Sequence, residues 1–284
     1  MRDQSGHAGG RRRIGWVSGS ALGVTLMLLY APIAQLLVSS ANENKLTARW
    51  TGFTAQWYRL ALDNDAVIAA AGRSARLALL VGLSAGVIGS VAALVVRRHP
   101  RFQATVLSLA AARIATPELV LAVALGVVFP LAGVRFSTWT MWFGHTVLLS
   151  GYVVVVVTTR LGGLDPLLEE SAADLGASPT RVVRHVVVPH VAPAMVAAGL
   201  LVAAFSFDDV LMSARLGGPN DTTLPLVILS MATRRPTPQL DAIGTLVVVA
   251  GALSFMVALA VGRVRSGNAT DLIGTARVGG RPQR

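Results

Sequence analysis

Three carboxylates stand in otherwise apolar surroundings: Glu118 in the run ARIATPEL, and the adjacent pair Asp208 and Asp209 in SFDDVLMSARLGGPNDTTLP. Ionisable groups are expensive in hydrocarbon and turn toward protein or water, so each marks a candidate polar pathway or ion relay. Glu118 follows Pro117, which removes a helix hydrogen bond, and the freed carbonyl plus the carboxylate could line a cavity. Arg113 offers Glu118 a second role, an internal ion pair that holds the kink. Asp208 and Asp209 would point about 100° apart on a helix, so at most one faces a central pathway. The structural alternative for this pair is to cap the end of a span or to hydrogen bond to a neighbouring helix.

Covalent chemistry finds no constellation. The chain has no cysteine, which excludes disulfides, thiolate metal sites and cysteine nucleophiles. His185 and His190 are five apart, off a common helical face, and no carboxylate lies at a zinc-motif offset from them. His145 is most simply a hydrogen bond to a neighbouring helix. Ser150-Gly151 lacks the glycine at position 148 that a G-x-S-G protease motif needs. Lys45, the single lysine, sits in Asn-Lys-Leu, not in a Gly-Lys-Ser/Thr phosphate loop, so any ATP used must be hydrolysed by another chain.

The elements that must position these groups are membrane spans. With 53% hydrophobic and 14% charged residues over 284, and a mean hydropathy of +0.61, the chain is too apolar for a soluble core of its size. Apolar runs at about 16–38, 66–96, 104–131, 139–158, 193–214 and 240–261 predict six spans, an all-α polytopic membrane protein. The first run is too long for a signal-peptide core and reads as an anchor, kinked at Pro32. Residues 1–15 and 263–284 read as basic tails, the first disordered, on either side of a transmembrane domain at 16–262. Trp50, Phe53, Trp57 and Tyr58 are spaced as on an interfacial helix at headgroup level. Arg73 and Arg76, early in the second span, either snorkel outward or face a partner subunit.

Six spans put both termini on one side. That side carries fifteen arginines, the opposite loops carry seven basic residues, and the positive-inside rule makes the richer side cytoplasmic.

One polar island, Thr158 to His190, interrupts the apolar runs on that cytoplasmic side. Asp165-Pro166 is a helix start, Gly176 a stop and Ser178-Pro179 a second start, with breaks expected at Pro189 and Pro193. On the first helix Leu168, Ala172 and Leu175 share one face and Glu170 and Asp174 the opposite one. An apolar-backed, acid-faced helix at a membrane surface suits docking onto a soluble partner.

The island resembles the EAA loop of the transmembrane subunits of binding-protein-dependent ABC importers. The pattern E-A-A-x3-G-A, a run of spaced apolar residues and a proline thirteen after the glycine is met by Glu170-Ser171-Ala172, Gly176-Ala177, Val183, Val186, Val188 and Pro189, with Pro193 beyond. Ser171 replaces alanine, and Val183 stands where the family often has a bulkier residue. The stretches WTGFTAQWYRLALDND, the proline–acid step at Glu118 and Phe205 to Pro225 are similar to the polyamine (spermidine/putrescine) permease group, so that the resemblance covers about residues 50–260.

This resemblance implies a type I (MetI-like) importer permease in the plasma membrane of a prokaryote. Glu170, Ser171, Ala172, Asp174, Gly176, Ala177 and Pro189 would couple it to the ATPase, within a loop at about 160–190. Glu118, Asp208 and Asp209 would supply spaced anions to a polyamine. The implied partners are ABC ATPase subunits, a second and different permease chain, and an extracytoplasmic solute-binding protein. No cofactor is expected in this chain, ATP and Mg being held by the ATPase. Related permeases handle iron, phosphonates or thiamine, so the solute stays open. The competing class is an ion-gradient-driven secondary transporter or channel, with Glu118 and Asp208 as relays, although no inverted repeat supports it.

Overall fold

The computed structural model describes residues 8–44, 49–234, 237–254 and 256. Among these the chain is helical apart from loops and one isolated antiparallel bridge, Asn42 with Phe53. Four helices are long and apolar enough to cross a bilayer: Gly19–Ser39 within α1 (Ala8–Ser39), α3 (Asp65–Arg98), α6 (Thr138–Gly162) and the run Pro179–Asp208. A fifth candidate is broken, with Pro100–Ala115 and Glu118–Leu131 meeting at 97°. A shorter apolar helix, Pro238–Ser254, begins where the sixth span is expected; the remainder of that span and the 263–284 tail lie outside the described residues.

The described residues form two compact units, 8–63 with 231–256, and 64–230. In the first, α1 begins at Ala8, inside the stretch expected to be a disordered tail, because the Ala- and Arg-containing sequence ahead of the apolar run lets a helix already nucleated in that run propagate backward. The interfacial helix expected over 39–65 is also corrected. Only α2 (Gln56–Leu62) is helical there, so Trp57 and Tyr58 share a helix while the exposed Trp50 and Phe53 lie in a folded loop. Asn42 causes this: its side-chain amide donates to the Arg49 carbonyl (2.8 Å) and its oxygen accepts from the Thr51 N–H (3.2 Å), offering the backbone an alternative to helix. Trp57 is buried and its indole N–H donates to the Asn42 carbonyl at 2.7 Å.

In the second unit α3 and α6 pack along their lengths against each other and against α9 (Val188–Asp208), around Leu77, Val81, Val153, Val157, Val191 and Val202. Between helices in lipid, close packing replaces the hydrophobic effect as the driving force, and small residues permit it. A Cβ on Gly82 would fall 2.9 Å from the Gly199 carbonyl, and one on Gly89 2.5 Å from Val153 Cβ, so these crossings exist only because both are glycine.

The breaks expected at Pro189 and Pro193 do not form. The chain runs from α8 (Pro179–Val182) through one π turn, Val183–Val187, directly into α9. In that turn the Val188 N–H reaches back five residues to the Val183 carbonyl, and the widened register absorbs the N–H that Pro189 lacks.

Candidate functional site

Two interruptions of helices converge on one cavity of about 500 Å³ in the second unit. The first closes α4 (Gln103–Ala115): Thr116 is extended (φ −73°, ψ 124°) because the following proline ring excludes it from the helical region. The Thr116 hydroxyl donates to the Ala112 carbonyl at 2.7 Å, sealing the helix end, and α5 (Glu118–Leu131) starts afresh in a new direction. Glu118 therefore occupies the first turn of α5, where the helix dipole favours a carboxylate.

The second interruption ends α9 at Asp208. Asp209 is extended (φ −66°, ψ 132°), and its carboxylate accepts from the Ser213 N–H at 2.8 Å, in the first turn of α10 (Leu211–Leu216). The two aspartates thus diverge because a helix ends between them, not through the 100° step of a continuous helix. Asp208 is exposed on the cavity wall, whereas Asp209 is buried.

His145, fully buried on α6, clamps Asp209. Its Nε2 lies 3.1 Å from Asp209 Oδ1 and its Nδ1 2.8 Å from Ser206 Oγ of α9. A neutral ring protonated on Nε2 satisfies both partners, donating to the carboxylate and accepting from the serine hydroxyl. His145 is thus the expected helix-to-helix hydrogen bond, but its bond to Asp209 has no local sequence signal. His145→Ala should lower the stability of the detergent-solubilised chain by about 1–3 kcal/mol, the cost of leaving a buried acceptor unsatisfied. A thermal-unfolding scan checks this.

Glu118 and Asp209 both line the cavity wall. The ion pair between Arg113 and Glu118 is not formed. Arg113 folds back over its own helix end and donates to the Thr116 carbonyl at 3.3 Å, while its Nε and Nη2 are buried without a hydrogen-bond partner in the structure. Three carboxylates and one guanidinium thus border the cavity, with the edge-on Tyr152 and Phe205 rings (centroids 5.7 Å apart) beside them. These two aromatics carry no sequence signal distinguishing them from ordinary span residues.

Arg73 Nε donates to the Thr222 carbonyl at 2.9 Å, and the adjacent Ser74 hydroxyl accepts the Leu224 N–H at 2.8 Å, anchoring the loop beyond α10. Arg76 is exposed. Among the described residues no three metal-ligating side chains gather.

Within Thr158–His190 the first helix start, its stop and the second start fall where expected. Asp165 caps α7 (Pro166–Asp174) by accepting from the Leu167 N–H at 3.0 Å. Gly176, at φ +81°, ends it: its N–H donates to the Ala173 carbonyl (2.8 Å) and that of Ala177 to Ala172 (3.0 Å), the paired bonds of a Schellman stop. The expected apolar backing is corrected. Leu167, Leu168 and Leu175, the last 90% exposed, point away from the protein together with Glu170 and Asp174. The inward side is carried by Ala172, by Ala177 beyond the stop and by Glu169, which pairs with Arg97. The leucines lie on an exposed surface of the unit.

A helical membrane fold with interrupted spans around a charged cavity, and a separate exposed amphipathic helix, is the architecture of a permease. The chain belongs to the family of binding-protein-dependent transport system inner membrane components, whose pattern matches residues 85–264. The PotC permease protein of the spermidine/putrescine transport system of Escherichia coli (strain K12) is 34% identical over 247 residues, 86% of this chain and 93% of its own. The PotI permease protein of the putrescine transport system of the same strain is 32% identical, over 77% of this chain and 81% of its own. In fold the chain is similar to a bacterial ABC transporter that imports alginate (TM-score 0.69, 16% identity, 88% of this chain and 96% of the other). The inward-facing MetNI methionine ABC transporter is also similar (TM-score 0.59, 16% identity, 70% and 94%). The chain is thus an inner-membrane permease subunit of a bacterial ABC importer, working with ATPase subunits, a second permease subunit and a solute-binding protein.

Proposed function

We propose that this permease carries a polyamine of the putrescine or spermidine type, and that the cavity between the two interrupted spans is part of the path. The observation that carries this reading is the convergence of Glu118, Asp208 and Asp209 on one cavity with Tyr152 and Phe205 beside them. An alkyl ammonium chain asks for that chemistry: carboxylates to accept from its N–H groups and ring faces to hold the methylenes and attract the cations. The identity to PotC and PotI over most of the chain supports the same solute class. Uptake of labelled putrescine or spermidine by proteoliposomes holding the full complex tests it; saturable ATP-dependent uptake is expected, and none with either polyamine would overturn the solute assignment.

The chain itself performs no covalent step. ATP and Mg belong to the ATPase partner, since this sequence lacks a phosphate loop. Both termini face the cytoplasm, as the fifteen-to-seven division of basic residues supports. The ATPase seats on α7 and its flanks, with Glu170 and Asp174 at the contact, Ser171 on the outer helix surface, Ala172 seating the inner side on the core, Gly176 and Ala177 fixing its end, and Pro189 marking the return into α9. Leu168 and Leu175 are the apolar anchors of that contact. Replacing both with glutamate should release the ATPase from the purified complex while the permease remains in the membrane, which co-purification measures.

A further inference from the structure

Of the paired acids at the start of α7, the motif draws attention to Glu170, yet Glu169 is the one held by the protein. Arg97, in the last turn of α3, donates from Nε to Glu169 Oε1 at 2.7 Å, and its Nη2 meets the same carboxylate. The remaining arm, Nη1, donates to the Leu161 carbonyl at 2.7 Å, in the last turn of α6. The next residue, Arg98, donates to the Pro179 carbonyl at 3.0 Å, where α8 starts, and lies 3.9 Å from Glu169. Two consecutive side chains on α3 therefore grip α7, the end of α6 and the start of the helix that becomes α9.

Of the elements joined, α3, α6 and α9 are the three long helices whose mutual packing forms the core of the unit. The outer side of α7 presents the leucines, and its inner side rests on Arg97 and on the Ala172 and Ala177 contacts with the core. A guanidinium is planar and can hold a carboxylate on one edge while another N–H binds a carbonyl, so it fixes direction as well as distance; an ammonium is a point charge without that geometry.

We propose that Arg97, with Arg98 beside it, is the positioning residue of the force-transmitting joint: the strut Glu169–Arg97–Leu161 carries displacement of α7 into α3 and α6, and thereby moves the walls of the cavity. The proposal rests on the reading that the ATPase seats on α7. Partly exposed ion pairs contribute little to stability, so loss of the strut leaves the helices assembled but separates ATP turnover from movement.

The absence of cysteine makes the test direct, because Leu211→Cys gives this chain a single thiol at the cavity wall. The full complex, with ATPase, second permease and binding protein, is reconstituted, and labelling of that thiol by a membrane-impermeant maleimide is timed at rest and after trapping with ATP and vanadate. Trapping should change the rate about tenfold with Arg97 present and less than twofold in Arg97→Met or Glu169→Gln, while ATP is still hydrolysed. The reversal Arg97→Glu with Glu169→Arg should recover much of the change, and Arg97→Lys should fall between. A native response in Arg97→Met, or a double reversal no better than its parts, would overturn the strut. Should Arg97→Met shed the ATPase, Arg97→Lys decides: a native response there overturns the proposal and a reduced one supports it. Retention of ATPase by the Leu168→Glu, Leu175→Glu chain would instead remove the seat on α7, whatever Arg97 does.

Discussion

Gly176→Val should leave the helices inserted in the membrane and reduce ATP-coupled uptake about tenfold or more, whereas Gly176→Asn should stay close to native and Gly176→Ala fall between. The order follows from the backbone. Gly176 is at φ +81°, with nothing within 4 Å of the Cβ position, so within this chain an added Cβ meets no steric obstacle and the intrachain effect is conformational. A left-handed residue costs an ordinary L-amino acid about 1–2 kcal/mol, least for asparagine and most for a β-branched residue. That energy competes with the two bonds that end α7, from Gly176 to Ala173 and from Ala177 to Ala172. Since about 1.4 kcal/mol is tenfold in an equilibrium, valine populates loops in which α7 points elsewhere. The measurement is uptake per ATP hydrolysed in proteoliposomes. Equal ratios for valine and asparagine would show that the turn does not transmit.

The second large effect separates two neighbouring aspartates. Asp208→Asn should weaken polyamine uptake by about 10–100-fold, the loss of one charge-assisted hydrogen bond of ~1.5–3 kcal/mol, with the complex still assembled. Asp209→Asn should instead lower the yield and thermal stability of the complex, because it disturbs the bond from the Ser213 N–H and the contact with His145. Uptake titrations against polyamine concentration, alongside size-exclusion yields, distinguish the two. Native uptake by Asp208→Asn would remove that carboxylate from the path.

Much of this was legible because local rules dominate in a membrane chain. Apolar runs must be helices where no water is present to satisfy the backbone. Asp165-Pro166, Gly176 and Ser178-Pro179 act within a few residues of themselves, so α7 and its ends could be read directly. Pro117 likewise announced a kink in the third span, although the full break into two helices meeting at 97° was beyond any local rule. Pro189 misled for the converse reason: a proline alone argues for a break, and only the neighbouring π turn made it harmless.

The sequence by itself determined an all-helical membrane protein, the ends of α7 and the start of α8 in the cytoplasmic island, the absence of a phosphate loop and the three acids worth watching. Tertiary structure decided which acids do what. Glu118 is left without an ion pair to Arg113, which bonds the Thr116 carbonyl instead, Asp209 is held by a histidine 64 positions earlier, Asp208 is left open to the cavity, and Glu169 rather than Glu170 is held by Arg97, 72 residues away. The physical reason is range. Capping, proline geometry and hydropathy depend on a residue and its near neighbours, whereas the partner of a buried charge is whatever the packing of α3, α6 and α9 brings within 3 Å.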